Sequence, residues 1–127
     1  MRGKVLIVDD DPAVRESLRG LLEQRGLSPV GTASDGNEAV TMATSLEPDV
    51  IVMDRMMPGM DGVEATRRIK QALPDTQVIL LSAQLDDEVQ QQGEGMGVYC
   101  YLAKGCSDSL IADMVTRAIN LKNEFAS

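Results

Sequence analysis

The stretch DVIVMDRMMPGMDG at residues 49–62 decides the fold, because it joins an apolar strand to a turn and a helix start. The unbroken apolar run at residues 50–53 is typical of a strand that is buried on both faces of a parallel sheet. Asp54 ends that run, and Pro58-Gly59 predicts a turn after it. Asp61 and Glu64 have the spacing of a capping box, which predicts that a helix begins here. The stretch therefore predicts a strand, a loop and a helix in succession.

The same alternation extends to both ends of the chain. Further strands are predicted at residues 5–8, 28–32, 78–81 and 98–103. Amphipathic helices are predicted after the first strand, ending near Gly26, and after Asp35, where Glu38 completes a second capping box. The last helix carries a wide apolar stripe from Leu110 to Ile119, and the residues after Asn120 are expected to be a loose end. Five such units predict an α/β fold in which helices cover both faces of a five-stranded parallel sheet.

The segment between the fourth and fifth strands has a weaker pattern. Asp86-Asp87 can start a fourth helix, but that helix then meets glycine at positions 93, 95 and 97. Each glycine inside a helix costs roughly 1 kcal/mol relative to alanine. We therefore predict a short helix that ends near Gln92 and is less protected from amide exchange than the last helix.

Composition excludes several classes of protein. The 127 residues fit one domain, expected to span residues 1–127 with no output domain. The net charge of -8 argues against direct nucleic acid binding, and the absence of histidine excludes imidazole-based catalysis. No apolar run approaches the ~20 residues of a membrane span, and the first residues do not resemble a signal peptide. Cys100 and Cys106 form no CxxC pair, so we expect free thiols and a cytoplasmic chain that does not bind membranes.

Polar residues follow four of the predicted strands. They are the run Asp9-Asp10-Asp11 and the single residues Asp54, Ser82 and Lys104. Ligands of open parallel sheets bind at the carboxyl ends of the strands, so we expect these side chains to converge on one edge. Each residue alone is more often a turn or cap residue. The joint arrangement is what indicates a site.

The chemistry of these groups favours phosphoryl transfer. Crowded carboxylates repel one another unless a cation lies between them, and oxygen ligands favour a hard ion, Mg²⁺ or alternatively Mn²⁺. Lys104 supplies a second positive charge and Ser82 a hydroxyl that can form a hydrogen bond. A carboxylate nucleophile, a metal ion and a lysine are the parts needed to transfer a phosphoryl group to an aspartate.

Four motifs together resemble one known family. VLIVDDDPAVRESL, DVIVMDRMMPGMDG, VILLSA and YLAK are similar to the motifs of CheY-like receiver domains of two-component response regulators, over essentially the whole chain. The resemblance implies the flavodoxin-like receiver fold, with strand order 2-1-3-4-5. The family commonly has proline after the lysine, and Gly105 at that position is similar to receivers of LuxR/NarL-type regulators.

The resemblance also implies roles for the metal site. Asp54 would be the phosphorylated residue, and Asp10 would be the direct carboxylate ligand of Mg²⁺. Asp9 would act nearby or through water, and the backbone carbonyl of Met56 would be a further ligand. Asp11 has no implied role beyond capping the first helix.

A switch is implied by the same resemblance. Ser82 matches the hydroxyl that moves to the phosphoryl group, Lys104 its ionic partner, and Tyr101 the aromatic residue whose ring then turns inward. The implied partners are a sensor histidine kinase or phosphotransfer protein, and an output domain or partner protein at the face formed by the fourth helix, fifth strand and fifth helix. The resemblance also allows two phosphorylated chains to form a homodimer. Transcription would be regulated if a DNA-binding domain follows in the full gene.

Two other functions remain open from the residues alone. A hydrolase with an aspartyl-phosphate intermediate, like the haloacid-dehalogenase-like phosphatases, needs a DxD pattern on the first strand, which here ends in DDDP. A degenerate receiver used only for docking would not need the complete set of acid, hydroxyl and lysine. We therefore expect a phosphoacceptor switch that catalyses only its own phosphorylation and dephosphorylation, and that is not an enzyme.

Overall fold

The structure is a computed structural model that describes residues 3–83, 91 and 97–126. The described residues form five strands and four helices. The strands β1 to β5 span Lys4–Val8, Ser28–Ala33, Val50–Asp54, Gln77–Ser82 and Val98–Ala103, and the helices α1 to α4 span Pro12–Gln24, Gly36–Leu46, Gly62–Ala72 and Asp108–Ala126. The fourth helix predicted from Asp86 to Gln92 lies outside the described residues, apart from residue 91.

All neighbouring strands pair in parallel, in the order β2-β1-β3-β4-β5. This confirms the α/β fold and the strand order that the family resemblance implied. The register aligns Val8 with Met53 and Asp54 with Leu81. The residues that follow β1, β3 and β4 therefore emerge at the same edge of the sheet, which we call the carboxyl edge. The opposite edge, where the strands begin, is the amino edge.

Alternate side chains of the sheet build two hydrophobic cores. Val5, Ile7 and Val52 point to the face covered by α1 and α4, while Leu6, Val8 and Ile51 point to the face covered by α2 and α3. These residues are almost completely buried. Burial of each such side chain contributes about 1.5–3 kcal/mol, so both faces of the sheet are firmly covered and the carboxyl edge rests on a rigid support.

Three aspartates cap the helices that begin at the carboxyl edge. Asp11 accepts a hydrogen bond from Ala13 N (2.9 Å), so its predicted capping role is confirmed, and Pro12 occupies the first helical turn. Asp35 accepts from Glu38 N (2.8 Å) and Asp61 from Glu64 N (2.9 Å). The caps fix where each helix starts relative to the strand before it.

The two predicted capping boxes differ in their second half. The Glu38 carboxylate accepts a hydrogen bond from the backbone, as in a capping box. The donor is Ser34 N (2.9 Å), one residue before the cap residue Asp35. Glu64 instead accepts hydrogen bonds from the side chains of Arg67 and Arg68, which lower the pKa of Glu64 to about 2. Arg67 and Arg68, three and four residues later, bind this carboxylate in place of a backbone N–H at the start of the helix.

The last helix is longer than the sequence predicts. Residues after Asn120 were expected to form a loose end, but α4 continues to Ala126. Within the described part of the chain, no helix is long and apolar enough to cross a membrane.

Candidate functional site

Three carboxylates meet at the carboxyl edge. One oxygen from each of Asp9, Asp10 and Asp54 lies within 4.8 Å of the others. Asp9 follows β1 and is completely buried, Asp54 ends β3 and is 4% exposed, and Asp10 faces solvent. The sheet therefore brings these three predicted residues together, as their positions after neighbouring strands indicated.

Lys104 reaches the same cluster from the end of β5. Its Nζ lies 2.9 Å from Asp54 Oδ2 and 3.4 Å from Asp9 Oδ2. Its backbone N–H donates to the carbonyl oxygen of Ser82 (2.8 Å), which fixes the lysine to the end of β4. Burial by itself would lower the pKa of Lys104, but the hydrogen bond to Asp54 and the negative charges of both aspartates raise it. The lysine is thus held as a cation against two carboxylates.

Asp9 is bound through its backbone more completely than through its side chain. Its N–H donates to Ala33 O (3.1 Å), and its carbonyl oxygen accepts from Arg15 Nη1 (2.7 Å). Its Oδ1 accepts from Asp11 N (2.9 Å), whereas its buried Oδ2 has no hydrogen-bond partner among the described residues. At 3.4 Å, Lys104 attracts Oδ2 by charge without forming a well-directed hydrogen bond.

The environment of Asp9 matches what a hard cation needs. Burial raises the pKa of Asp9, and the charge of Asp54 raises it further, against the lowering effects of the Asp11 N–H and of Lys104. A divalent ion would supply the missing partner of Oδ2 and reduce the repulsion among the carboxylates. The donor set of carboxylate oxygens fits Mg²⁺ or Mn²⁺.

The loop after β3 orients the Asp54 carboxylate. Met56 N donates to Asp54 Oδ1 (3.1 Å), and Arg55 N donates to Leu81 O (2.8 Å), which continues the pairing of β3 with β4. The Met56 side chain is 61% exposed above the site. One carboxylate oxygen is therefore held by a backbone N–H and the other by Lys104.

Ser82 and Tyr101 lie on the β4–β5 side of the site. Ser82 is buried and lines a cavity of about 260 Å³ with Arg55, Met56 and Ala83. Tyr101 pairs with Leu80 in the sheet and packs against the core on the α2–α3 face. Burial raises the pKa of Tyr101, and its hydroxyl is buried with no hydrogen-bond partner among the described residues. Asp11 takes no part in the carboxylate cluster and serves as a helix cap.

Sequence reasoning missed two groups that hold the site from outside the cluster. The Met56 N–H and the Arg15 guanidinium both bind site aspartates, at Asp54 Oδ1 and Asp9 O. A backbone donor has no residue signature. Arg15 lies six positions after Asp9, and only the turn into α1 brings the two together.

The family model for the response regulator receiver domain matches residues 5–116. The chain belongs to the response regulator receiver family. The match includes β2 to β5, all of β1 except Lys4, and every site residue described above. Receiver domains are signalling switches of phosphorelays, and the family generally uses Mg²⁺, which agrees with the acidic cluster.

Known receivers share both sequence and shape with this one. It is 41% identical over 116 residues to the transcriptional regulatory protein LiaR of Bacillus subtilis, covering 91% of this chain and 55% of LiaR. The receiver therefore spans about half the length of the curated relatives it matches. Its fold is similar to the signal receiver domain of the putative response regulator NarL from Mycobacterium tuberculosis, with a TM-score of 0.88, 30% identity and coverage of 94% and 97%. A chain of the CheX–CheY–BeF3–Mg²⁺ complex from Borrelia burgdorferi matches with a TM-score of 0.85, 26% identity and coverage of 91% and 87%.

Proposed function

We propose that Asp54 is the phosphoacceptor of this receiver. A sensor histidine kinase, a phosphotransfer protein or a small phosphodonor supplies the phosphoryl group. The observation that carries the proposal is the position of Asp54, a buried carboxylate that lies between an acidic cation site and the ammonium group of Lys104. Asp9 shares these neighbours, but its Oδ2 lies farther from the Lys104 ammonium group, at 3.4 Å against 2.9 Å for Asp54.

The transfer is a displacement at phosphorus. An Asp54 oxygen attacks, a new O–P bond forms, and the bond from phosphorus to the donor nitrogen or oxygen breaks with its electron pair leaving on the donor. Met56 N–H holds Oδ1 and Lys104 holds Oδ2 of the resting carboxylate. These two contacts fix the direction in which the nucleophile points, which lowers the entropic part of the barrier.

The metal site is proposed to consist of Asp9, Asp10, Asp54 and the Met56 backbone carbonyl. Asp10 is the direct carboxylate ligand, and Asp9 acts nearby or through water. The buried Oδ2 of Asp9 has no hydrogen-bond partner among the described residues, which supports a cation at this position. Mg²⁺ held by these residues, or Mn²⁺ in its place, would neutralise charge on the phosphoryl oxygens.

Ser82, Lys104 and Tyr101 form the proposed switch. Ser82 lines a cavity with Arg55 and Met56, the two residues that follow Asp54, which supports its hydroxyl as the group that binds a phosphoryl oxygen. Lys104 exchanges its bond with the Asp54 carboxylate for one with the phosphoryl group. Tyr101 follows the movement of Ser82 and alters the face formed by β5, α4 and the helix predicted before β5, where an output domain or partner protein binds. A homodimer of phosphorylated chains is a second form that this face allows.

The wider proposal is a transcriptional response regulator. Residues 1–127 form the receiver as a single domain, and a DNA-binding output domain elsewhere in the protein carries the regulation, as the resemblance to LuxR/NarL-type regulators implies. The similarity to LiaR, a transcriptional regulatory protein, supports a role in transcription. The receiver itself, at a net charge of -8, does not bind nucleic acid. The free thiols Cys100 and Cys106 support a reducing compartment, the cytoplasm.

Intact-mass spectrometry after incubation with acetyl phosphate and Mg²⁺ tests this function. Wild type is expected to gain one phosphoryl group, Asp54→Asn none, and the control Asp49→Asn one, because Asp49 lies at the amino edge. Equal labelling of wild type and Asp54→Asn would exclude Asp54 as the acceptor. Release of free phosphate from a stable phosphate ester, in many turnovers per chain, would favour the hydrolase and contradict a switch that acts only on itself.

A further inference from the structure

The four-residue pattern Asp-Gly-x-Glu occurs twice, as DGNE at residues 35–38 and DGVE at 61–64. In both places the aspartate is the helix cap and the glycine is the first residue of the helix. Both glycines, Gly36 and Gly62, are buried. The proposed phosphoryl transfer assigns neither of them a role.

Gly62 packs directly against the backbone that carries Asp54. A Cβ added to Gly62 would lie 2.7 Å from Asp54 O and 2.9 Å from Arg55 Cα. The N–H of Gly62 donates to Arg55 O (2.8 Å), and its carbonyl oxygen accepts from the buried Thr66 hydroxyl (2.7 Å). These two hydrogen bonds hold the glycine against the backbone that carries Asp54.

Gly36 contacts the other end of the same loop. A Cβ added there would lie 2.7 Å from Met60 O and 2.9 Å from Met60 Cβ. Arg55 and Met60 lie near the two ends of the loop that joins β3 to α3. The starts of α2 and α3 therefore enclose this loop, and each does so with a residue that has no side chain.

We infer that Gly36 and Gly62 are positioning residues for the phosphoryl-transfer site. The inference rests on the proposed function, because the loop they enclose carries Asp54 at its start and Met56 within it. Neither glycine has a positive φ, so the requirement is space and not backbone conformation. A backbone atom at 2.7 Å must retreat by about 0.7 Å to reach an ordinary contact. That displacement exceeds the tolerance of about 0.5 Å within which a working site must be held.

Alanine variants test the inference, with Mg²⁺ affinity and the initial rate of labelling by acetyl phosphate as readouts. Gly62→Ala is expected to weaken Mg²⁺ binding and slow labelling about tenfold or more, as for other groups that orient metal ligands. Gly36→Ala acts on the distal end of the loop and is expected to have a smaller effect in the same direction. Gly20→Ala is the matched control, because nothing lies within 4 Å of its added Cβ, and it should match wild type.

A second control separates positioning from stability. Asp35→Ala removes the cap of α2 without adding an atom against the loop, so it should lower thermal stability and leave Mg²⁺ affinity within twofold of wild type. Folding of each variant is checked by circular dichroism. If Gly62→Ala does not fold, Gly36→Ala decides, and a wild-type Mg²⁺ affinity and labelling rate in it would overturn the inference.

The outcomes also separate the inference from the proposed function. Wild-type affinity and rate in folded Gly62→Ala, while wild type is labelled, overturn the positioning role alone. The same result follows if Asp35→Ala loses as much Mg²⁺ affinity as Gly62→Ala, because the effect would then be one of stability. Failure to label wild type contradicts the proposed function, and the Mg²⁺ titrations still decide whether the glycines position the cation site.

Discussion

The two edges of the sheet use the same residue types in opposite ways. At the amino edge, Asp49 accepts hydrogen bonds from Lys4 N and Lys122 Nζ, both at 2.8 Å. Each of its oxygens has a partner. At the carboxyl edge, Asp9 is more deeply buried, yet its Oδ2 has no hydrogen bond among the described residues and only a lysine at 3.4 Å.

The pKa shifts follow this difference in partners. Burial would raise the pKa of Asp49, but Lys122 and the Lys4 N–H together lower it. Burial raises the pKa of Asp9, and its partners do not reverse the shift. Two donors satisfy both oxygens of Asp49, whereas the buried Asp9 Oδ2, which has no hydrogen bond among the described residues, leaves room for a cation. For these two aspartates, residue type and burial do not distinguish the cation site from the structural support, but the hydrogen bonding of the second carboxylate oxygen does.

The largest expected effect is the loss of switching in Lys104→Ala, compared with Lys122→Ala at the amino edge. Lys104→Ala should still accept a phosphoryl group, because the metal carries more of the transition-state charge, but it should not switch. Amide chemical shifts around Tyr101 on addition of beryllofluoride and Mg²⁺ measure the switch. Lys122→Ala, at the amino edge, should show the wild-type shift changes. Wild-type changes around Tyr101 in Lys104→Ala would contradict the assigned role of this lysine.

The next largest effect is on Mg²⁺ affinity, and it distinguishes Asp10 from its neighbour Asp11 at the carboxyl edge. Asp10→Asn removes a charge from the proposed cation site, so Mg²⁺ affinity should fall about tenfold or more. Asp11→Asn should leave Mg²⁺ affinity nearly unchanged, because asparagine also caps helices well. In wild type, Mg²⁺ at 100 times its dissociation constant should raise the free energy of unfolding by about 2.7 kcal/mol. Isothermal titration and chemical denaturation measure both quantities, and greater damage from Asp11→Asn would refute the assignment.

The smallest effect concerns stability and pH. Asp49→Asn should lower the free energy of unfolding by about 2 kcal/mol at pH 7, since a hydrogen-bonded charge is lost. The pKa of Asp49 is lowered in the folded chain, so its contribution is present above the unfolded value of about 3.9 and is lost as the pH falls through the folded value. Urea unfolding should therefore show the gap between wild type and Asp49→Asn shrinking below about pH 4. A gap that is constant from pH 7 to pH 3 would show that Asp49 acts by packing and not by charge.

Much of the fold followed from the sequence because its signals are local. The sequence pattern predicted all five strands to within one residue at each end, including the weaker second strand, and strand ends are where parallel sheets bind ligands. Asp9, Asp54 and Lys104 therefore met as expected, although they are far apart in the chain. The strand order came from the family resemblance, since periodicity does not specify which strands are neighbours.

The parts that were missed depend on tertiary contacts. The roles of Gly36 and Gly62 depend on backbone atoms that approach from another element, and a glycine in sequence does not show what lies against it. The repeated Asp-Gly-x-Glu pattern was the available signal, but it predicts only two helix starts. Glu64 had the right spacing for a capping box, yet Arg67 and Arg68 bind its carboxylate.

One NMR titration tests the contrast between the edges most directly. Mg²⁺ followed by beryllofluoride, added to the ¹⁵N-labelled wild-type receiver, should shift the amides of Asp9, Met56 and Lys104. The amides of Lys4, Asp49 and Lys122 should stay in place, because both oxygens of Asp49 already have hydrogen-bond partners. Shifts of equal size at both edges, or shifts at the amino edge alone, would contradict the claim that the carboxyl edge is the phosphoryl-transfer site.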